Sequence, residues 1–291
     1  MIKALSSVTL ASLALLTFSS SDPLLAQQSG EVEKAIWSGQ SGGFTIRWTT
    51  ADLVARPVKS PARTVFSAKA LAEGQWKSIE KDGVEEYYEY NRTFELLSVV
   101  GSLVSYSDTE YCACGGAHPT AHVQFKAIDL ARPGRVGDKE SGRAVKLNDL
   151  FPETDILKAL LADAMIRKAL EAAQKPEPKT LAKLIEAIAY QMFESEDCSY
   201  SASEDMLARF AFHHVEGNQV AVRLSISHGA EVCRGQMLQV GILLPIPASL
   251  KNSVTLAANG KAGFLMKDQK RIALDRTTSF NFTPGKKSGR P

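Results

Sequence analysis

Residues 154–194 read TDILKALLADAMIRKALEAAQKPEPKTLAKLIEAIAYQMFE, with apolar positions every three or four residues. This spacing predicts one amphipathic helix over 154–174, behind a candidate cap at Thr154, and a second over 179–194. The run KPEP at 175–178 separates them, because proline ends a helix. We assign both apolar stripes to a hydrophobic core rather than to a cofactor. Their members are Leu157, Leu160, Leu161, Ala164, Met165 and Ala169, then Leu181, Leu184, Ile185, Ile188 and Met192.

On both sides of this helical segment the apolar pattern becomes that of β-strands. Before it, residues 84–111 are rich in Tyr, Phe, Val, Thr and Leu, which predicts long strands with a bend near Gly101. After it, residues 210–226 alternate apolar and polar residues around the turn 216–218, which predicts an antiparallel hairpin. The order predicts an α+β fold in which antiparallel sheet strands flank a central two-helix segment.

The N-terminus has the pattern of a secretory signal peptide. Lys3 carries a positive charge, Ala4–Phe18 is apolar, and Ala26 is a small residue before Gln27. We therefore predict a signal peptide over 1–26 and an exported protein, periplasmic or secreted. An uncleaved N-terminal anchor is the alternative. No later apolar run approaches the roughly 20 residues that cross a bilayer, so we predict no membrane span after signal cleavage.

The composition predicts a folded core and excludes one class of partner. The 291 residues are 44% hydrophobic, and their net charge of +2 gives no reason to expect a nucleic-acid ligand. We predict a flexible N-terminal segment over 27–42 and an α+β domain over 43–247. A C-terminal extension over 248–279 and a disordered basic tail over 280–291 follow it.

Three motifs occur in an order typical of a known family. They are Gly115-Gly116-Ala117-His118-Pro119, the strand that follows, and the segment VKLNDLF at 145–151. Together they resemble the extracytoplasmic domain of lysozyme-sensing anti-sigma factors, which also occurs beside peptidoglycan deacetylases. The resemblance spans 43–247 and implies a ligand-binding scaffold with no catalytic residue. The family's membrane-spanning helix and sigma-binding segment have no counterpart here, so signalling by proteolysis is not implied.

The candidate ligand-binding residues are those of the first motif, Gly115, Gly116, Ala117, His118 and Pro119. Two glycines suit a tight turn, because glycine adopts positive φ without steric cost. His118 has two interpretations. It either presents its imidazole to a ligand or hydrogen-bonds nearby backbone to fix the loop, and we favour the second.

The sequence contains four cysteines, which we expect to be oxidised in an exported protein. Cys198–Cys233 is the favoured bridge, with a stabilisation of roughly 4 kcal/mol from loop closure. Cys112 and Cys114 then pair with each other if they lie in a turn. The alternative is a cross-pairing that pins the 115–118 turn to the hairpin.

A zinc site of Cys112, Cys114, His118 and His122 is disfavoured by distance. In an extended chain the two histidines would lie about 13 Å apart, too far for a shared metal. We predict no metal and no cofactor.

No sequence motif for hydrolysis is present, neither Gly-x-Ser-x-Gly nor Ser-x-x-Lys. His213 and His214 lie in an alternating strand, so we expect their side chains on opposite faces. We expect the acidic run 194–197 to be a solvated helix terminus.

We therefore predict a cell-envelope binding protein, not an enzyme, whose ligand is a protein such as lysozyme or a cell-wall component. One alternative is a peptidoglycan-modifying enzyme or its accessory, which would need two convergent carboxylates if it cleaved glycans. Another is a structural envelope protein without a small ligand.

Overall fold

A computed structural model describes residues 35–83, 88–115, 117–133, 142–174, 176–189, 192–195, 198–202, 204–227, 233–271 and 276–284, all within one compact unit, Glu33–Pro291. The described strands are β1 (Ala35–Ser41), β2 (Phe44–Thr49), β3 (Leu53–Pro57), β4 (Phe66–Ser67), β5 (Glu89–Val100), β6 (Leu103–Ala113), β7 (Thr120–Pro133), β8 (Gly142–Ala144), β9 (Met192–Ser195), β10 (Cys198–Ser201), β11 (Phe210–Glu216), β12 (Gln219–Ser227), β13 (Met237–Pro245), β14 (Gly263–Phe264) and β15 (Thr278–Phe282). The described α-helices are α1 (Ala68–Lys81), α2 (Glu153–Ala162), α3 (Ala164–Ala172), α4 (Leu181–Ile188) and α5 (Ala248–Ala258). The pairings between these strands are antiparallel, and the predicted α+β class is confirmed.

The largest sheet is built on the long meander of β5, β6 and β7. Its order is β14-β5-β6-β7-β8, and β15 also pairs with β5. The chain turns between β5 and β6 at Gly101, whose φ of +61° is accessible to glycine without steric cost. The predicted pair of long strands with a bend near Gly101 is thus confirmed.

The N-terminal sheet begins earlier than the sequence predicts. Residues 27–42 are predicted to be flexible, but Ala35–Ser41 forms β1 and pairs with β2. Residues 38–41 are small or polar, so the sequence shows no clear strand pattern there. Pairing with β2 is what makes the segment a strand. The sheet is anchored by the fully buried Trp48, whose indole N–H donates to Thr278 Oγ1 at 3.1 Å.

The central segment contains three helices where the sequence predicts two. The extra break lies at Asp163, whose backbone is extended and whose carboxylate accepts hydrogen bonds from the amides of Met165 and Ile166 at 2.9 and 3.2 Å. An aspartate in this position caps the start of a new helix and so ends the one before it.

The second predicted helix is shorter than its pattern suggests. α4 ends at Ile188, and Met192–Ser195 forms β9, which pairs with β10. The prediction that 194–197 is a helix terminus is therefore wrong for Glu194 and Ser195, and Glu196 and Asp197 lie outside the described residues.

The C-terminal sheet, in the order β11-β12-β13, contains the predicted hairpin. Its turn includes Gly217 at φ +58°. Two buried serines join this sheet to the central one. Ser98 Oγ accepts from the amide of Phe212 at 3.3 Å, and Ser225 Oγ accepts from the amide of Phe125 at 2.9 Å. Each serine satisfies a buried backbone donor that would otherwise be costly.

Residues 248–279, predicted as an extension, belong to the core of the same unit. Within α5, Val254 and Ala257 are buried in the cluster that also contains the central helices. β15 pairs with β5 as far as Phe282, which stacks on Trp76 with ring centroids 5.8 Å apart. The predicted tail boundary at 280 is thus too early, because paired strand residues continue beyond it. Residues 1–34 and 285–291 lie outside the described residues.

Candidate functional site

The predicted recognition turn lies at the tip of the β6–β7 hairpin. Hydrogen-bonded pairing of the two strands extends to Cys112 opposite Thr120, and the chain reverses between them. Ala117 and His118 are exposed, whereas Pro119 is half-buried. Gly116 lies outside the described residues. The turn therefore presents two side chains to solvent at the end of a long, rigid hairpin.

Gly115 is required at its position for two separate reasons. Its φ is +91°, which L side chains rarely adopt. A Cβ atom there would lie 2.7 Å from the Tyr88 hydroxyl, so the tyrosine packs directly against the glycine backbone. The predicted need for glycine in this turn is confirmed at Gly115.

A disulfide between Cys112 and Cys114 closes the end of β6. Cys114 lies just beyond the last residue of β6, where the chain leaves the extended form. Its Cα is 5.2 Å from that of Cys112, shorter than the roughly 6.6 Å between such residues in an extended strand. This bond confirms the pairing of Cys112 with Cys114 and excludes the cross-pairing to the hairpin. Both sulfurs of the disfavoured zinc set are thereby engaged in the disulfide.

The other predicted bridge is only partly described. Cys233 is fully buried and disulfide-bonded. The side chain of Cys198 lies outside the described residues, although it is the one cysteine left in the sequence once Cys112, Cys114 and Cys233 are set aside. The Cys198–Cys233 pairing stays a prediction.

Residues Cys233–Gln236, which precede β13, are hydrogen-bonded to the end of the turn and the start of β7. Arg234 Nη1 donates to the carbonyl of Pro119 at 2.9 Å, and the amide of Gly235 donates to the carbonyl of Ala121 at 3.3 Å. We call residues Gly115–Pro119 with this support the clamped turn. Hydrogen bonds thus provide the tie to the C-terminal sheet that the alternative cross-disulfide would have supplied.

Both interpretations of His118 stay predictions. No hydrogen bond joins its ring to a residue that the structure describes, and the side chain is exposed. The imidazole is therefore accessible to a ligand.

His213 and His214 lie together, contrary to the prediction that they face opposite ways. Their Nδ1 atoms are 2.8 Å apart, and their rings meet at 80°. A β-bulge between Phe212 and His214 is the cause, because the inserted residue breaks the alternation of faces. One Nδ1 must carry the hydrogen of this bond and the other must accept it.

The charges around this pair favour neutral imidazole at His213. Burial lowers the pKa of His213, and the positive charges of Arg223 and Lys267 lower it further, whereas Asp268 acts in the opposite direction. His214 Nε2 lies 3.9 Å from Glu216 Oε2.

A buried ion cluster lies in the central sheet and was not predicted. Asp108 accepts two hydrogen bonds from Arg92, at 2.9 and 2.7 Å, and Lys126 Nζ approaches it at 3.1 Å. Arg92 also donates to the carbonyl of Leu71 on α1. Burial raises the pKa of Asp108, but the hydrogen bonds and charge of Arg92 outweigh it and leave the pKa below its ordinary value.

We assign this cluster to structure, because it joins α1 to the sheet and its central pair, Arg92 and Asp108, is buried. A sequence signal for it existed. Arg92 interrupts the inward-facing series Tyr90, Phe94 and Leu96, where a charge needs a buried partner.

The chain matches no protein-family model, no curated protein and no solved structure. Among the described residues, no group of three or more His, Cys, Asp or Glu side chains is arranged to hold a metal ion. In the same part of the chain, no helix has the length and apolar character to cross a membrane.

Proposed function

We propose that this protein is an exported binding protein, periplasmic or secreted, that recognises a protein or cell-wall ligand through the clamped turn. The observation that carries the proposal is the hydrogen bond of Arg234 to Pro119, which ties the end of an exposed turn to the segment before β13. A loop that is ordered before binding loses less conformational entropy when the ligand binds, which favours affinity. The exposed Ala117 and His118 are the side chains that we expect to meet the ligand.

The resemblance to lysozyme-sensing anti-sigma factors supports lysozyme as the first ligand to test. The net charge of the chain is only +2. We therefore expect the clamped turn to bind its ligand through main-chain groups and the His118 imidazole rather than through charge. The proposed role is recognition without a chemical step.

The test compares two hairpin tips on the same molecule. His118→Ala removes the exposed imidazole from the clamped turn, and Asn218→Ala removes an exposed side chain from the turn between β11 and β12. Binding of the wild type and both variants to immobilised lysozyme and to insoluble peptidoglycan is measured by titration. We expect His118→Ala to weaken binding to one of these ligands by about tenfold or more, as for a central contact residue.

Stability measurements separate recognition from folding. An exposed side chain without structural partners changes the unfolding free energy by less than about 0.5 kcal/mol, so both variants should unfold as the wild type does. Absence of wild-type binding to both ligands would reject the proposal in this form. Equal binding by the two variants would place the recognition surface elsewhere.

A further inference from the structure

The disulfide-bonded cysteines that the structure describes differ in their exposure to solvent. Cys112 and Cys114 are separated by two positions in the sequence, and both are partly exposed at the end of a strand. Cys233, which is also disulfide-bonded, has no exposed surface. Exposed disulfides are the ones that exchange with thiols, because a thiolate must reach one sulfur along the sulfur–sulfur axis.

The Cys112–Cys114 bond contributes little to the stability with which β6 is held against β5 and β7. A bridge over so short a loop constrains the unfolded chain least, so it contributes the least stabilisation by that mechanism. The strands are already joined around it, since Cys112 pairs with Tyr90 on β5 and with Thr120 on β7. Opening the bond leaves these ladders in place.

The turn beyond the disulfide is also held independently of it. Arg234 binds the carbonyl of Pro119, and Gly115 packs against Tyr88. A reduced Cys114 would have an acceptor at hand, because its Sγ lies 3.8 Å from the carbonyl of Glu89. The reduced form therefore fits the same backbone.

We propose that the Cys112–Cys114 disulfide is a redox-active bond that exchanges with a dithiol substrate, an activity distinct from ligand recognition by the clamped turn. A thiolate of the substrate attacks Cys114 Sγ, the bond between the two sulfurs breaks, and Cys112 leaves as a thiolate. The second substrate thiol loses its proton to water and attacks the mixed disulfide. Cys114 then leaves as a thiolate.

The electrons and protons of this exchange balance. The substrate dithiol loses two electrons and becomes a disulfide, and the cysteine pair gains them as two thiolates. These take up protons from water according to their pKa. Cys114 is the sulfur attacked, because it lies beyond the last residue of β6 and next to the side-chain-free Gly115, whereas Cys112 is flanked by paired strands.

The experiment uses the full oxidised chain and reduced glutathione as the probe. After timed incubation the sample is quenched with acid, alkylated and digested, and the peptides that contain Cys112, Cys114 and Cys233 are quantified by mass spectrometry. We expect Cys112 and Cys114 to be reduced at least about tenfold faster than Cys233, while the near-ultraviolet circular dichroism stays native.

Two matched variants test the roles of the sulfurs. Cys112→Ser leaves Cys114 without its partner, and we expect oxidised glutathione to form a mixed disulfide with it readily. Cys114→Ser leaves the better-covered Cys112, which should react several-fold more slowly. Reduction of Cys112–Cys114 only on loss of the native spectrum, or at the same rate as Cys233, would overturn the proposal.

Failure of this inference is distinguishable from failure of the proposed function. Glutathione requires no macromolecular ligand, and Asn218→Ala on the other hairpin tip should exchange as the wild type does. A protein that binds lysozyme or peptidoglycan but resists glutathione would disprove redox activity and leave recognition standing.

Discussion

The tips of the two hairpins begin from similar sequence chemistry and end in different structures. Gly115 in the clamped turn and Gly217 in the β11–β12 turn both have positive φ, +91° and +58°. A Cβ at Gly115 would meet the Tyr88 hydroxyl at 2.7 Å, but a Cβ at Gly217 would meet nothing within 4 Å. The first tip is crowded at its glycine, and the second has open space there.

The difference shows how a loop gains a fixed shape. Arg234, which binds the clamped turn, is 115 positions from Pro119 in the sequence. The β11–β12 turn is held within its own sheet, by the pairing of its strands and by the amide of Ile246, after β13, which donates to the carbonyl of Asn218 at 3.0 Å. The clamped turn is instead tied to a segment outside its own sheet, and this is the reason for assigning recognition to it.

The largest effect that separates the two tips is expected for alanine in place of glycine. Gly217→Ala should cost about 1 kcal/mol of unfolding free energy, since positive φ is the only penalty. Gly115→Ala should cost about 3 kcal/mol, because crowding against Tyr88 adds to the backbone strain. Urea unfolding of both variants measures the difference, and equal costs would contradict the close packing at Gly115.

A second substitution divides the cost at Gly115 into its parts. Tyr88→Phe removes the hydroxyl that the new Cβ would meet, so the cost of Gly115→Ala should fall by about 1 kcal/mol in that background. The strain from positive φ should remain. An unchanged cost would show that the tyrosine hydroxyl moves aside without penalty.

The next effect concerns the bond that clamps the first tip. Arg234→Met keeps much of the side-chain volume and removes the donor to Pro119, so we expect a loss of about 1 kcal/mol. Asn218→Ala at the other tip is the control, with a change below about 0.5 kcal/mol. Chemical denaturation gives both values. Matching values would mean that the Arg234 hydrogen bond does not stabilise the first tip.

The smallest effect is a pH dependence on the second hairpin, near its bulge. Because the pKa of His213 is lowered in the folded protein, the unfolded chain takes up the proton first as the pH falls through about 6.5. Stability should therefore decrease below that pH until the folded pKa is reached. His213→Gln should reduce this loss between pH 7.5 and 5.5, whereas Asn218→Ala should retain it. Denaturant midpoints at the two pH values measure it, and a wild-type slope in His213→Gln would contradict the pKa shift.

Much of the fold could be predicted from periodicity. The hairpin at 216–218, the long strands around Gly101 and the helical character of 154–188 all follow from local spacing. Two of the errors fall where a single residue overrides the period. Asp163 caps a new helix inside a continuous apolar stripe, and the bulge before His214 reverses a side chain within an alternating strand.

The candidate site was less predictable than the fold. The motif at 115–119 was found from its glycines and histidine, and the role of Gly115 follows from its backbone. Arg234 carries no signal in the sequence, because a lone arginine before a strand is common. The pairing of Cys112 with Cys114 required knowledge that the chain leaves the extended form just after β6.

The sequence by itself determined the α+β class and the central helical segment between runs of strands, because apolar periods of two and of three to four residues are local properties that any core must satisfy. Tertiary structure alone decided which segments meet. It joined β15 to β5, brought Arg234 to the clamped turn and set His213 against His214. Such contacts depend on how the sheets stack and where the strands bulge. They are selected by the packing energy of the whole core, and not by the local preferences of the residues that touch.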